Sequence, residues 1–310
     1  MSSNNTKLEQ EQVAVLVVTY GDYSGLRQTV ESILLQDYPI HEIVLSDDGS
    51  GNTFPEDAME LLKAAPCKVT IRQGEKNLGT TAHFNHIAKM VHSTYLKFMA
   101  AGDAFVSSTS LRELVTYARG QHTLVVCSNT AFCDKSLKNK YYEFPGKRRG
   151  KKLSSTRKRL FNLLAQENII SAVGVLFREE FFSQLGGFDE TYRLLEDWPT
   201  WLRLVRTNYC IPFLNRVTCL HSAGGISTKN GNAYRSAALR DDMKLCYEKE
   251  ILPYKSYFTQ NEWRGIQYRY AILTAQSTGC ILTKYPYLYL KDFVKENIKK
   301  IIKGTNGRLE

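Results

Sequence analysis

The sequence predicts an α/β fold on a mainly parallel sheet with flanking helices, followed by a helical C-terminal extension. Three observations lead there. Two short β-branched runs, Val13-Ala-Val-Leu-Val-Val-Thr-Tyr20 and Ile43-Val-Leu-Ser-Asp-Asp48, end abruptly in polar residues, as buried parallel strands do where they open onto a site. Between them Leu26, Val30, Ile33 and Leu34 recur at helical spacing until Asp37-Tyr-Pro39 stops the pattern. Strand-like and helix-like stretches then alternate to about residue 230, the pattern of parallel strands joined by crossover helices.

In order, the first unit is strand, helix over 24–36, strand. It delivers Thr19-Tyr20 and Asp47-Asp48 side by side to one sheet edge, where ligands of open α/β sheets bind. Further strands are expected over 68–73, 95–100, 123–127, 172–177 and 211–219, and helices over 56–64, 82–91, 108–118 and 199–206. Beyond residue 231 helical patterns dominate, over 233–249 and 262–276. A last stretch, 287–303, sets Leu290, Val294, Ile298 and Ile301 on one face with lysines elsewhere. Such a basic amphipathic helix suits an anionic membrane surface or the domain itself. The expected organisation is a disordered N-terminus over 1–12, an α/β domain over 13–230 and a helical extension over 231–310.

At 310 residues the chain can bury one large core or a domain with an appendage. Its polar, mixed-charge start does not read as a secretory signal. Seven cysteines without a Cys-x-x-Cys pair argue against a disulfide framework and a zinc site. A reducing cytoplasm fits. The net charge of +10 concentrates in Lys147-Arg-Arg-Gly-Lys-Lys152, in Arg157-Lys-Arg159 and in Lys291, Lys295, Lys299, Lys300 and Lys303. No nucleic-acid motif or interleaved stacking aromatics accompany these runs. They point to an anionic membrane or a pyrophosphate-lipid, with a solvated charge face as the alternative.

The Thr19-Tyr20 strand end, the Asp47-Asp-Gly-Ser50 string and the Gln36-Asp-Tyr-Pro39 corner resemble the N-terminus of family 2 glycosyltransferases of the bacterial surface-polysaccharide type. That family has the GT-A fold and uses nucleotide-sugar donors. The resemblance implies that Thr19, Tyr20 and Asp48 contact the nucleoside. Tyr20 offers a flat face to a pyrimidine, and Asp48 an acceptor for a uracil ring N–H. Asp47 either joins them or caps its turn. Glu75-Lys-Asn-Leu-Gly-Thr80, with Asn85 after it, resembles the family's Asn-x-Gly segment, which adds Asn77, Gly79 and Asn85 to the donor site; a capped glycine loop is the alternative.

The family's next strand leads into a paired-aspartate motif for a divalent cation. Here Tyr95-Leu-Lys-Phe-Met99 runs into Ala100-Ala-Gly-Asp-Ala104, so Asp103 is the only carboxylate left at this strand end, a candidate metal contact for Mn²⁺ or Mg²⁺ or else a turn residue. Farther on, Ser171-Ala-Val-Gly-Val-Leu-Phe-Arg178, Gly186-Gly-Phe-Asp-Glu190 and Leu195-Glu-Asp-Trp-Pro-Thr-Trp-Leu-Arg203 resemble the family's second half. Inverting transfer needs a base at the acceptor hydroxyl. The resemblance assigns it to Asp197, with Glu196 orienting a substrate. The competing reading makes Asp197 a helix cap held at low pKa by the helix N-terminus. Arg216-Val-Thr-Cys-Leu-His-Ser-Ala-Gly-Gly-Ile-Ser227 resembles the segment that returns to the pyrophosphate, implicating His221 as metal ligand or phosphate donor, with Ser222 and Ser227 beside it. Trp198 and Trp201 read as packing residues, Trp198 alternatively as a sugar platform.

The expected function is sugar transfer from a nucleotide-sugar, a UDP-sugar by preference, to a glycan or lipid-linked acceptor in capsule or cell-wall polysaccharide assembly. The setting would be the cytoplasm or the inner membrane face. A catalytically silent scaffold is the first rival. A nucleotidyltransferase is the second, weakened because Thr-Tyr-Gly-Asp-Tyr-Ser lacks a basic phosphate loop.

Overall fold

The structure, a computed structural model, describes residues 11–222, 236–275 and 278–294. The chain divides into two compact units, residues 1–242 and 243–310. In the first, β1 (Val13–Thr19), α1 (Leu26–Leu34), β2 (Glu42–Asp47), α2 (Glu56–Lys63), β3 (Lys68–Gln73), α3 (Thr80–Ala88) and β4 (Tyr95–Ala100) follow one another as expected. Then come β5 (Ala104–Phe105), α4 (Ser110–Arg119), β6 (Val125–Cys133), β7 (Lys140–Phe144), α5 (Gly146–Gly150) and α6 (Arg157–Gln166). β8 (Val175–Arg178), α7 (Glu180–Leu185), α8 (Asp197–Arg206), β9 (Phe213–Ser222) and α9 (Ala237–Cys246) complete the run, the last crossing the boundary between the units.

One sheet orders these strands β3-β2-β1-β4-β8-β6-β9-β5, with β7 paired to β6. The β3-β2-β1-β4 half is parallel throughout. Beyond β4 the pairing is mixed: β8 runs antiparallel to both neighbours, while β6 and β9 are parallel. Every residue of β1 and β2 is buried, as a strand covered on both faces requires. Leu26, Val30 and Ile33 of α1 are buried in the same cluster as Val13, Val15, Val17, Ile43 and Leu45, each contributing about 1.5–3 kcal/mol by burial. Lys97 lies wholly inside; its ammonium donates to the carbonyls of Phe98 and Val173.

Four differences from the sequence reading have physical causes. Residues 172–174 form a tight turn, so the strand begins only at Val175; Gly174 packs where a Cβ would come within 2.8 Å of the Ser128 carbonyl. β7 shows no apolar alternation because four of its five residues face water. α6 hides its buried stripe, Leu160, Phe161, Leu164 and Ala165, behind a basic start. Trp198 is no platform: it is 4% exposed and its indole N–H donates to the Leu164 carbonyl at 2.7 Å.

The second unit is helical, with α10 (Gln260–Thr274), α11 (Thr278–Lys284) and a further helical stretch over 286–294. A capping box between Thr259 and Glu262 starts α10. Leu290 and Val294 are exposed; Ile298 and Ile301 lie outside the described residues, as do residues 1–10 and Ser227. Among the described residues no helix is long and apolar enough to cross a membrane.

Candidate active site

Parallel register sets Thr19 beside Asp47, and the Thr19 hydroxyl donates to Asp47 Oδ1 at 3.0 Å. Asp47 also accepts from the Ser50 backbone N–H at 2.6 Å and from Ser50 Oγ at 2.5 Å. Burial pushes this carboxyl up, but hydrogen bonds from Ser50, Tyr23 and Thr19 outweigh burial and hold it below the usual carboxylate range. Asp47 therefore shapes its turn. Tyr20, 55% exposed, leaves its ring open at the strand end.

Asp48 is buried and grips the next turn. Its Oδ1 accepts from Leu78 N–H at 2.9 Å, and its Oδ2 from Gly79 N–H at 2.9 Å and Asn77 Nδ2 at 3.1 Å. Gly79 has φ +88°, and a Cβ there would lie 2.7 Å from Arg193, so this position needs glycine. Arg193 ties the turn to a distant segment: its guanidinium donates to Asn77 Oδ1 and its carbonyl accepts from Thr81 N–H at 3.3 Å. Asn85 has both amide protons engaged, with the Phe188 carbonyl at 2.8 Å and Glu190 at 2.9 Å, while its Oδ1 accepts from Phe188 N–H at 2.9 Å. It holds the Gly186–Glu190 turn. Any donor contact by Asp48 or Asn85 has to share these bonds.

At the end of β4 the chain turns through Gly102, where φ is +100° and a Cβ would stand 2.7 Å from Ser222 Oγ. β5 then pairs antiparallel with β9, setting Ala104 opposite Leu220. That pairing brings His221 to Asp103. The imidazole Nδ1 and Asp103 Oδ1 are 2.7 Å apart, and Ser222 N–H donates to the same oxygen at 3.3 Å. Burial pushes the imidazole down, but the Asp103 charge and hydrogen bond outweigh it and raise it above its ordinary value. Asp103 Oδ2 is buried and has no hydrogen-bond partner among the described residues. No group of three or more His, Cys, Asp or Glu gathers among the described residues. The pair fits a cation that takes few protein ligands and completes its shell with substrate oxygens and water.

Glu196 and Asp197 open α8. Asp197 Oδ1 accepts from Trp198 N–H at 2.5 Å, and Oδ2 from Asn168 Nδ2 at 2.7 Å. Burial pushes Asp197 up to about 6 against the pull of these two donors. Burial, then the charges of Asp197 and Asp242, push Glu196 up to about 8. This corrects the expectation that the helix N-terminus holds Asp197 low; desolvation wins. The two titrate as a pair, and both keep part of their surface open to water.

Sequence reading missed three residues here. Asn168 orients Asp197. Asp242 on α9 is buried; its Oδ1 accepts from Arg193 N–H at 3.1 Å, and its Oδ2 from Leu194 and Leu195 N–H at 2.6 and 3.1 Å. Arg193 joins that segment to the 77–81 turn. In the sequence Asp242 stands in Arg240-Asp-Asp-Met243 and looks like a solvated helix charge.

The parallel half of the sheet thus gathers its turns at one edge, and a shielded carboxylate pair opens α8 in the second half of the same unit. Residues 14–186, more than half of the chain, match the glycosyl transferase family 2 model, and the chain belongs to that family. It is 20% identical over 197 residues to an uncharacterized glycosyltransferase of Rickettsia typhi, across 63% of this chain and 59% of that relative's length. Among solved structures, Staphylococcus aureus TarS 1-349 with UDP-GlcNAc superposes with a TM-score of 0.58 at 14% identity, covering 86% of this chain and 74% of that one. The mannosyltransferase PcManGT of Pyrobaculum calidifontis, with GDP-Man and Mn²⁺, gives 0.56 at 14% identity, covering 91% and 81%. These likenesses establish the GT-A fold.

Proposed function

We propose that the protein is an inverting glycosyltransferase that moves a sugar from a nucleotide-sugar, a UDP-sugar by preference, to a hydroxyl of a growing surface polysaccharide or lipid-linked oligosaccharide. The observation that carries this reading is the Glu196–Asp197 pair. Two adjacent carboxyls whose affinities for protons are pushed apart make an acid–base couple. In this proposal Asp197 is the ionised partner at neutral pH and Glu196 the protonated one, because burial and the neighbouring charges of Asp197 and Asp242 raise Glu196 the further. The acceptor hydroxyl gives its proton to Asp197 Oδ2 while its oxygen bonds to the anomeric carbon. The bond to the nucleoside diphosphate breaks on the opposite face. Asn168 fixes the base, and Glu196 donates a hydrogen bond to a substrate oxygen.

On the donor side Tyr20 offers its exposed ring to the base of the nucleotide, and the turns gripped by Asp47 and Asp48 shape the pocket. Asp103 Oδ2 and His221 are the groups that would hold Mn²⁺ or Mg²⁺, and such an ion would neutralise the leaving pyrophosphate. The nucleotide-sugars in the TarS and PcManGT structures support a donor of this class; a pyrimidine preference rests on Tyr20 and Asp48.

The test is donor hydrolysis by the purified protein across UDP-, dTDP- and GDP-sugars with Mn²⁺, Mg²⁺ or EDTA, for wild type and Asp197→Asn. One donor cleaved by wild type and spared by the variant supports the reading. The Ala100-Ala101-Gly102 departure favours the alternative of a silent donor-binding relative. Tight donor binding without turnover, even with membrane-extract acceptors, would select that alternative. A peripheral place at the inner membrane face suits a lipid-linked acceptor, and flotation on anionic liposomes with and without residues 286–310 tests it.

A further inference from the structure

We propose that the β6–β7 hairpin and the basic segment after it form a docking track for a negatively charged acceptor chain, a glycan carrying anionic groups along its length. This rests on the glycosyl-transfer reading only in naming the bound chain as the acceptor. Between Asp134 and Arg159 stand eleven lysines and arginines against two acids, a surplus close to the net charge of the whole protein. All eleven are exposed. Among the described residues the one ion pair made by these cations joins Arg149 to Glu167, beyond the segment. A solvated face ordinarily mixes signs, whereas one sign gathered on a surface repels itself and draws an opposite charge.

The segment is firmly placed. Gly150 sits where a Cβ would come within 2.1 Å of the Phe213 ring, and Leu153 and Leu160 are buried, so the cations between these anchors turn outward. An aromatic line leads from the hairpin to the Asp103–His221 pair. Tyr142, 55% exposed, stacks on Phe132 with centroids 4.8 Å apart and planes at 10°. Phe132 meets His221 edge-on at 4.9 Å, and His221 is bonded to Asp103. Flat aromatic faces accept the apolar faces of sugar rings. A membrane would explain the charge alone. It would not explain a stacked pair that ends on the Asp103–His221 site. The sugar-bearing polyanion explains both.

The experiment measures binding of the full-length protein to a fluorescent hyaluronan oligosaccharide of about ten sugars, without donor, at about 50 and about 200 mM salt. Comparators are neutral dextran, single-stranded DNA of equal charge and phosphatidylglycerol vesicles. Hyaluronan should bind, dextran should not, and affinity should fall roughly tenfold or more between the two salts. The quadruple variant Lys147→Glu, Arg148→Glu, Lys151→Glu, Lys152→Glu should lose roughly tenfold or more with an unchanged melting temperature. Tyr142→Ala should lose roughly threefold to tenfold at both salts. Dextran binding equally well, or a charge variant that binds hyaluronan like wild type, overturns the proposal. DNA bound as tightly as hyaluronan with Tyr142→Ala without effect overturns it in favour of a general polyanion surface. Vesicles captured while hyaluronan is ignored overturns it in favour of membrane contact. Binding is read without turnover, so this result stands apart from whether sugar transfer is found.

Discussion

The two sides of the site handle their carboxylates in opposite ways. Beside β1 and β2, Asp47 and Asp48 are committed to backbone N–H groups and hydroxyls, and hydrogen bonding holds Asp47 low. Around α8 and β9, Glu196 and Asp197 are held high by burial, and Asp103 keeps a buried oxygen without a partner among the described residues. The carboxylates that hold turns are satisfied, whereas those proposed to act on substrate are kept away from their resting electrostatics. Arg193 and Asp242 join the two sides, since one segment touches the 77–81 turn and continues into the carboxylate pair.

The sharpest way to break this contrast is Asp197→Asn. Removing the proposed base should lower kcat by about 10²–10⁴, with donor affinity by calorimetry within a factor of about two, because the amide fills the same space and its oxygen still accepts from Trp198 N–H, although its NH₂ cannot accept from Asn168. An equal loss of donor affinity would move Asp197 to the binding side. Below this in size comes Asp242→Ala, which strips three backbone donors of their acceptor. It should cost about 3 kcal/mol in a urea melt and lower kcat by about 10–100-fold through misplacement of Glu196 and Asp197. Asp242→Asn, which keeps one carbonyl acceptor, should recover part of both. Unaltered kcat in a folded Asp242→Ala protein would show that α9 does not position the pair.

Asp48→Ala is the matching cut on the other side. It should cost about 2 kcal/mol of stability and weaken UDP binding by roughly tenfold, leaving the residual kcat at saturating donor near wild type. A collapse of kcat without loss of affinity would erase the distinction between the sides.

The legible parts of the sequence were those with a period or a string. The β1–β2 edge shows because buried parallel strands write continuous apolar runs, and Asp103, His221, Glu196 and Asp197 show as motif positions. That Asp103 and His221 touch did not show, because the link is β5, two residues long, too short for any periodicity. Asn168 and Asp242 are single polar residues whose meaning comes from elements far away in sequence. β7 gave no strand pattern since it faces water, yet Tyr142 on it stacks on Phe132, which meets His221.

The smallest expected effect concerns pH and stability, and its sign separates the two sides again. Asp197 has its carboxyl raised from 3.8 to about 6 and Glu196 from 4.5 to about 8, so across that window the folded protein holds protons that the unfolded chain has released. Stability from this pair is fully present below about pH 4 and is lost as pH rises through 6 and on to 8. Asp47 runs the other way: its carboxyl is lowered in the fold, so its contribution is present above about pH 4 and is lost as pH falls. Asp197→Asn removes one charge that resists burial. The variant should therefore be more stable than wild type at pH 8, by about 1–2 kcal/mol once screening at the partly open mouth is allowed for. The difference should vanish near pH 4. Thermal melts at both pH values read it directly. A variant less stable than wild type at pH 8 would mean that the Asn168 and Trp198 bonds, not desolvation, dominate at this carboxylate. The same titration should make kcat/KM fall below about pH 6 as the base takes up its proton, and again above about pH 8 as Glu196 loses its own.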